Sequence, residues 1–158
     1  MNKKILIGIV LAAMIPAVVY AASPLFFNNT IDEGIPLVKT GSSENQNAKT
    51  NAQVTTMSGM FVGVGDGIHN AQGTAKILLL DDTTFLRLED FKATNGPDLH
   101  VYLATDEKAT DYVDLGQLKA NIGNQNYQLP AGVDLTKYDT VLVWCKQFSV
   151  LFGHAVIS

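Results

Sequence analysis

The chain has 158 residues, which is enough for one domain of ordinary size with flanking segments. It carries 11 Lys and Arg against 15 Asp and Glu, for a formal net charge of −4, and its basic residues do not cluster. Because binding to nucleic-acid phosphates relies on clustered Lys and Arg, this composition argues against a nucleic-acid partner.

The N-terminal segment, residues 1–27, is predicted to direct the chain to a membrane. Lys3 and Lys4 precede an uncharged apolar run that begins at Ile5. This layout is typical of a secretory signal peptide, and Ala21-Ala22 offers small residues for cleavage. The run is also about 23 residues long, enough to span a bilayer, so a retained membrane anchor is the competing interpretation. Both interpretations place the rest of the chain outside the cytoplasm, at the cell surface or secreted.

Residues 28–56 are predicted to form a flexible, disordered linker. The stretch from Lys39 to Thr56 is polar, rich in small residues and free of periodicity. Such a composition buries too little apolar surface to fold. The linker would let a globular head, residues 57–158, stand away from a membrane.

The head shows short apolar runs separated by turn residues. Two alternating runs flank Asp81-Asp82, and this two-residue break predicts a hairpin. Gly96-Pro97-Asp98 opens another alternating run, in which His100 and Tyr102 face away from the apolar side, so we expect His100 to be solvated. The spacing of the runs, with no long helical pattern, predicts an all-β fold: an antiparallel β-sandwich of about eight strands.

The segment TVLVWC near the C-terminus is apolar on both faces, which predicts a central strand that is covered on both sides. Val141, Val143 and Cys145 fall on one face. Leu142 and Trp144 fall on the other. Cys145, the only cysteine of the chain, ends this strand beside a turn, and a rigid strand end is a favourable place for a reactive group.

A lone cysteine in an exported chain has four interpretations: core packing, an intermolecular disulfide, a ligand position or a working thiol. A working thiol needs a lowered pKa, which Lys146 or His154 would provide if its side chain faces the sulfur. Blue copper is disfavoured because His154 lies nine residues beyond Cys145 and no Met follows. The three scattered His residues offer no zinc spacing, whereas haem ligation by Cys145 or a His stays open.

Four segments of the head resemble, in order, the blocks of the DM-thirteen domain family, an exported electron-transfer domain associated with DOMON domains. They include Gly96-Pro97-Asp98, the segment from Gly123 to Pro130 and the segment from Trp144 to Ala155. The resemblance covers about residues 58–158. It implies an extracytoplasmic β-sandwich whose signature cysteine, here Cys145, works either as a free thiol or as the ligand of a prosthetic group such as haem.

With this resemblance, the sequence favours an exported, membrane-tethered redox module that exchanges electrons with a partner protein through Cys145. Trp144, Phe148 and Phe152 would form an apolar wall around a group bound there, with His154 as a second ligand or a polar neighbour. The alternative is a non-enzymatic adhesion or ligand-binding module at the cell surface, with Cys145 as core packing. A self-standing enzyme is the weakest interpretation, because no acid–base constellation is visible.

Overall fold

A computed structural model of the chain describes residues 28–36, 54–80 and 83–158. The described residues form ten β-strands and no helix, which confirms the all-β prediction with two strands more than expected. The predicted signal peptide or membrane anchor, residues 1–27, lies outside the described residues. Within the described part of the chain, no helix is long and apolar enough to cross a membrane.

The strands form two five-stranded sheets that pack face to face. Sheet 1 has the spatial order β1 (Thr30–Asp32), β8 (Ile122–Gln128), β5 (Thr83–Ala93), β4 (Ala71–Leu80) and β2 (Val54–Met60). Sheet 2 has the order β3 (Val62–Gly63), β10 (Val150–Val156), β9 (Thr140–Cys145), β6 (Leu99–Ala104) and β7 (Tyr112–Gln117). All pairings are antiparallel except that of β1 with β8. The chain crosses from sheet 1 to sheet 2 at Phe61, the single residue between β2 and β3.

The hairpin predicted from alternating side chains is the pair of β4 and β5. Their ladder runs from Leu80 opposite Thr83 to Ala71 opposite Ala93. The predicted two-residue connection, Asp81-Asp82, lies outside the described residues. The alternation and the short break therefore identified the pairing correctly.

The core lies between the two sheets. Successive side chains of a strand point to opposite faces, so alternate residues of both sheets meet in one layer. Its buried members are Phe61, Ala71, Ala75, Ile77, Leu86, Leu88, Phe91, Ala93, Leu99, Val101, Leu103, Tyr127, Leu129, Val141, Val143, Cys145, Phe152, Ala155 and Ile157. Because full burial of a Leu, Val or Phe side chain contributes about 1.5–3 kcal/mol, this layer is the main source of stability.

Strand β9 lies at the centre of sheet 2, between β10 and β6, as the sequence predicts. Val141 and Val143 face the main core. Leu142 faces the outer side of the sheet, where it forms a smaller buried cluster with Tyr102 and Ala104. Burial on both faces explains the unbroken apolar sequence of this strand.

Strand β1 lies within the stretch 28–56 that composition predicts as linker. It pairs in parallel with β8, with Thr30 opposite Ile122. The Glu33 carboxylate then accepts hydrogen bonds from Lys119 Nζ (2.8 Å) and Asn126 N (2.7 Å), 86 and 93 residues along the chain. Contacts over such separations leave no local pattern in the sequence. The bounds of the leader, the linker and the domain stay predictions.

Candidate functional site at the end of strand β9

Cys145 is the last residue of β9, and it is a free, buried cysteine with 1% of its surface exposed. It lies opposite Leu99 of β6 and Val150 of β10, so an apolar residue flanks it on each side. Residues 146–149 follow as an exposed turn. The predicted position of Cys145, at the end of a central strand beside a turn, is therefore confirmed.

The Gly-Pro-Asp turn closes the core beside Cys145. The Asp98 carbonyl accepts a hydrogen bond from Lys146 N (2.9 Å), which ties this turn to the end of β9. A Cβ at Gly96 would lie 2.8 Å from Leu99 Cδ2 and 2.9 Å from Phe152 Cζ, so any larger residue there would have to displace the ends of these two side chains. Since Leu99 is the strand neighbour of Cys145, the Gly-Pro-Asp signature has a direct structural role at the site.

Of the four residues predicted to surround Cys145, Phe152 shares its core cluster. The His69 ring packs edge-on against the Phe152 ring, with centroids 4.5 Å apart. Asp66 holds His69 in place, because its carboxylate accepts hydrogen bonds from the backbone N–H groups of His69 and Ile68 and lies 2.6 Å from His69 Nδ1. These hydrogen bonds, chiefly the one from His69 N, lower the pKa of Asp66 to about 2.

Trp144 and His154 lie on the face of sheet 2 opposite to Cys145. Trp144 does so because neighbouring residues of a strand alternate. The ladder between β10 and β9 shifts at Phe152, which is inserted as a β-bulge. One inserted residue moves every following side chain to the other face, so Gly153 faces inwards and His154 outwards. The structure therefore does not bring His154 and Cys145 together.

Phe148 and Lys146 also point away from the Cys145 sulfur. Phe148 lies in the turn and is 64% exposed. The Lys146 ammonium lies 3.2 Å from Asp114 Oδ2 on the outer face of sheet 2. The surroundings of the sulfur are thus apolar core residues, with neither Lys146 nor His154 beside it.

An aromatic cluster that the sequence did not predict lies on the outer face of sheet 2. Tyr102 is 1% exposed and stacks on Tyr112, with ring centroids 4.2 Å apart and planes inclined by 14°. The Trp144 ring centroid lies 6.4 Å from that of Tyr102. Burial and the Asp114 charge raise the pKa of Tyr102 well above its usual value. The sequence alone indicated that Tyr102 and Trp144 each point away from the core, but only the pairing of their strands shows that the two rings are neighbours.

His100 is enclosed by carboxylates, so the expectation that it is solvated is wrong. Its side chain is 15% exposed, with Nε2 3.2 Å from Asp98 Oδ1 and Nδ1 3.0 Å from Asp114 Oδ1. Burial raises the pKa of Asp114, but hydrogen bonds from His100, Gly116 N and Lys146 outweigh burial and hold that pKa below its usual range. Strand β7 supplies Asp114 opposite Tyr102, which is how the polar and aromatic groups come together.

The surroundings of Cys145 do not fit a haem. A haem is a large planar group, whereas Cys145 is 1% exposed in a core layer and lies between Leu99 and Val150 on the neighbouring strands. The predicted second ligand, His154, is on the other face of the sheet. In residues 28–36, 54–80 and 83–158, no group of three or more His, Cys, Asp and Glu side chains is arranged to hold a metal ion.

Residues 63–157 match the family model described as Electron transfer DM13. The matched range contains strands β4 to β10 and therefore Cys145 and both faces of β9. No curated protein and no solved structure matches the chain.

Proposed function

The chain belongs to the DM13 family of electron-transfer domains, and from this premise we propose that it is an exported, membrane-tethered redox module that works through Cys145. The observation that carries the proposal is the place of Cys145, at the end of a central strand and directly before the exposed turn 146–149. Export and tethering are supported by the apolar N-terminal segment. The partner would be a second redox protein at the same membrane surface.

The closed core around Cys145 favours a thiol over a prosthetic-group ligand. Because Cys145 is the only cysteine, the chain has no second thiol of its own to complete a disulfide. The oxidised form of the site is therefore a mixed disulfide with another molecule or a sulfenic acid. Electron transfer through this site therefore depends on a partner that carries a disulfide or a thiol.

Exchange through Cys145 would take three successive thiolate attacks. Cys145 gives its S–H proton to solvent, and the thiolate attacks one sulfur of a partner disulfide, so that an intermolecular S–S bond forms and the other partner sulfur leaves as a thiolate. A dithiol donor then attacks the partner sulfur and releases the Cys145 thiolate. The second donor thiolate closes the donor disulfide and releases the partner sulfur. Two electrons pass from the dithiol to the partner disulfide.

Burial of the sulfur requires the end of β9 to open before exchange. Ser149, at the end of the turn, has φ 55°, a left-handed conformation that costs a non-glycine residue about 1 kcal/mol. The hydrogen bond from Lys146 N to the Asp98 carbonyl is the contact that such an opening would break first. Local openings of this kind need far less free energy than global unfolding.

The test is reversible modification of the folded full chain. Incubation with oxidised glutathione is expected to add one glutathione to Cys145, seen by mass spectrometry, while circular dichroism stays native. Dithiothreitol should remove the adduct. The control Cys145→Ser should fold and take no glutathione. A folded wild-type chain that takes no adduct over a wide range of glutathione concentrations contradicts a redox role for the thiol.

The second candidate is a non-enzymatic binding module, and the 1% exposure of Cys145 is the observation that favours it. In that case Cys145 only packs the core. Cys145→Ala should then leave cell-surface binding unchanged and only reduce stability by a modest amount, because the residue loses one sulfur atom. Under the redox proposal the same substitution abolishes glutathione exchange.

A further inference from the structure

We propose that Tyr102 and Tyr112 form a single-electron site on the outer face of sheet 2, chemically separate from the Cys145 thiol. The proposal rests on the electron-transfer function of the family and adds a second group that can give up electrons. The main evidence is that the buried ring of Tyr102 stacks on the exposed ring of Tyr112.

The two rings differ in access to solvent. Tyr112, on the edge strand β7, is 44% exposed, whereas Tyr102, on β6, is 1% exposed. A partner or a soluble oxidant can therefore reach Tyr112 directly and can reach Tyr102 only through it. Trp144 lies on the β9 side of Tyr102, which helps to keep water from that ring.

The contact between the rings suits the movement of an electron. Their centroids are 4.2 Å apart and their planes are nearly parallel. Electron tunnelling falls exponentially with distance, so rings in stacking contact exchange electrons far faster than rings on separate surfaces of the domain. The stack thus connects the exposed ring to a shielded one.

Negative charge lies close to the buried ring of the pair. Asp114 lies opposite Tyr102 on the neighbouring strand β7, and the Asp114 and Asp98 carboxylates act on Tyr102 electrostatically. Negative charge near the ring favours removal of an electron, since the positive charge that develops is stabilised. Because burial raises the pKa of Tyr102, the phenol enters the reaction protonated.

Each step transfers one electron and one proton. A one-electron oxidant, such as a metal complex in its higher oxidation state, takes an electron from Tyr112, and the phenol proton passes to water, which leaves a neutral radical. An electron from Tyr102 then crosses the stack while the Tyr102 phenol proton passes to the Tyr112 oxygen. Tyr112 is restored as a phenol, and the unpaired electron is held on Tyr102.

The experiment oxidises the purified full chain with photogenerated tris(bipyridine)ruthenium(III) and follows tyrosyl radicals by transient absorption and freeze-quench paramagnetic resonance. Wild type is expected to give a long-lived radical. Tyr112→Phe should lower its yield severalfold, because the oxidant cannot reach Tyr102. Tyr102→Phe should keep the initial yield but shorten the lifetime severalfold, because the radical stays on the exposed ring.

The matched control is Tyr138→Phe, which removes a tyrosine hydroxyl outside the pair, one that donates to the Asp111 carboxylate. This control should change neither yield nor lifetime. The proposal is overturned if Tyr102→Phe leaves the lifetime unchanged, or if Tyr138→Phe lowers the yield as much as Tyr112→Phe does. Circular dichroism and thermal melting verify that each variant is folded.

Cys145→Ser separates this site from the thiol proposal. It should abolish glutathione exchange and leave the yield and lifetime of the tyrosyl radical unchanged. Loss of the radical in Cys145→Ser contradicts the separation of the two sites. If the wild-type chain forms the radical normally but Cys145 never takes up glutathione, the tyrosine pair is supported and the redox role of the Cys145 thiol is rejected.

Discussion

The two faces of sheet 2 are formed by the same strands but differ in their access to solvent. The inner face carries Cys145 in a closed apolar layer, beside Val143. The outer face carries Tyr102 in a small cluster that reaches solvent through Tyr112. A group on the inner face can react only when the fold opens, whereas a group on the outer face can react in the closed fold. Under the two proposals, sheet 2 would therefore carry one redox group that reacts only when the end of β9 opens and another that reacts in the closed fold.

The largest expected effect comes from removing apolar volume on the inner face. Leu103→Ala creates a cavity at a fully buried position and should lower the free energy of unfolding by about 2–5 kcal/mol. Leu151→Ala, on the partly buried outer cluster, should cost about 1 kcal/mol, because less apolar area is lost. Urea denaturation measures both values. Equal losses would contradict the distinction between a core face and a surface face.

The bulge that separates Cys145 from His154 should be sensitive to side-chain size. A Cβ at Gly153 would lie 2.7 Å from Ala71 Cβ and 2.9 Å from the Val62 carbonyl. Gly153→Ala should therefore lower the free energy of unfolding by about 1–3 kcal/mol through overpacking. Gly34→Ala is the matched control, because nothing lies within 4 Å of its Cβ position. A Gly153→Ala chain as stable as the control would contradict the observed packing at the bulge.

The ionic cluster of the outer face should give a specific dependence on pH. The folded-state pKa of Asp114 is lowered, so its contribution to stability is present above the ordinary Asp pKa of about 3.9 and is lost as pH falls through the folded pKa. Asp114→Asn should cost about 1 kcal/mol at neutral pH. Its stability should also fall less steeply below pH about 4 than that of wild type.

Urea denaturation at a series of pH values measures this difference. Lys146→Gln, which removes one donor to Asp114, should shift the curve in the same direction by a smaller amount. If Asp114→Asn retains the full acid dependence of wild type, the ion pairs of Asp114 do not contribute to stability.

The smallest effect is expected at Phe148. Since its side chain is 64% exposed, Phe148→Ser should change the free energy of unfolding by less than about 0.5 kcal/mol. Phe152→Ala is the contrasting variant, and because Phe152 is 4% exposed it should cost about 3–5 kcal/mol. A large loss in Phe148→Ser would mean that this ring packs against the domain, as the predicted apolar wall requires.

Local patterns in the sequence predicted much of the fold. The two apolar faces of β9 predicted a central strand, and the alternation around Asp81-Asp82 predicted the pairing of β4 and β5. These features depend on residues close together in the chain. Strand β1 was missed because its pairing with β8 and the contacts of Glu33 join residues 86 and more positions apart.

The candidate site was predicted less completely, for a related reason. The place of Cys145 at a strand end follows from its own strand, so the sequence was sufficient. The side of the sheet on which His154 lies depends on the bulge at Phe152, because a single inserted residue moves every later side chain of the strand to the opposite face. The tyrosine pair depends on the register of β6 against β7, which brings Tyr102 opposite Asp114 and places Tyr112 two residues earlier.

The measurement that tests the redox role of Cys145 most directly is its rate of reaction with a thiol reagent in the folded full chain, at increasing low concentrations of urea. The proposal predicts a rate that is nearly independent of urea and far above the rate of global unfolding, because opening of the turn 146–149 exposes little surface. A rate that rises with urea in step with global unfolding would contradict it, and Cys145 would then be a packing residue of the core.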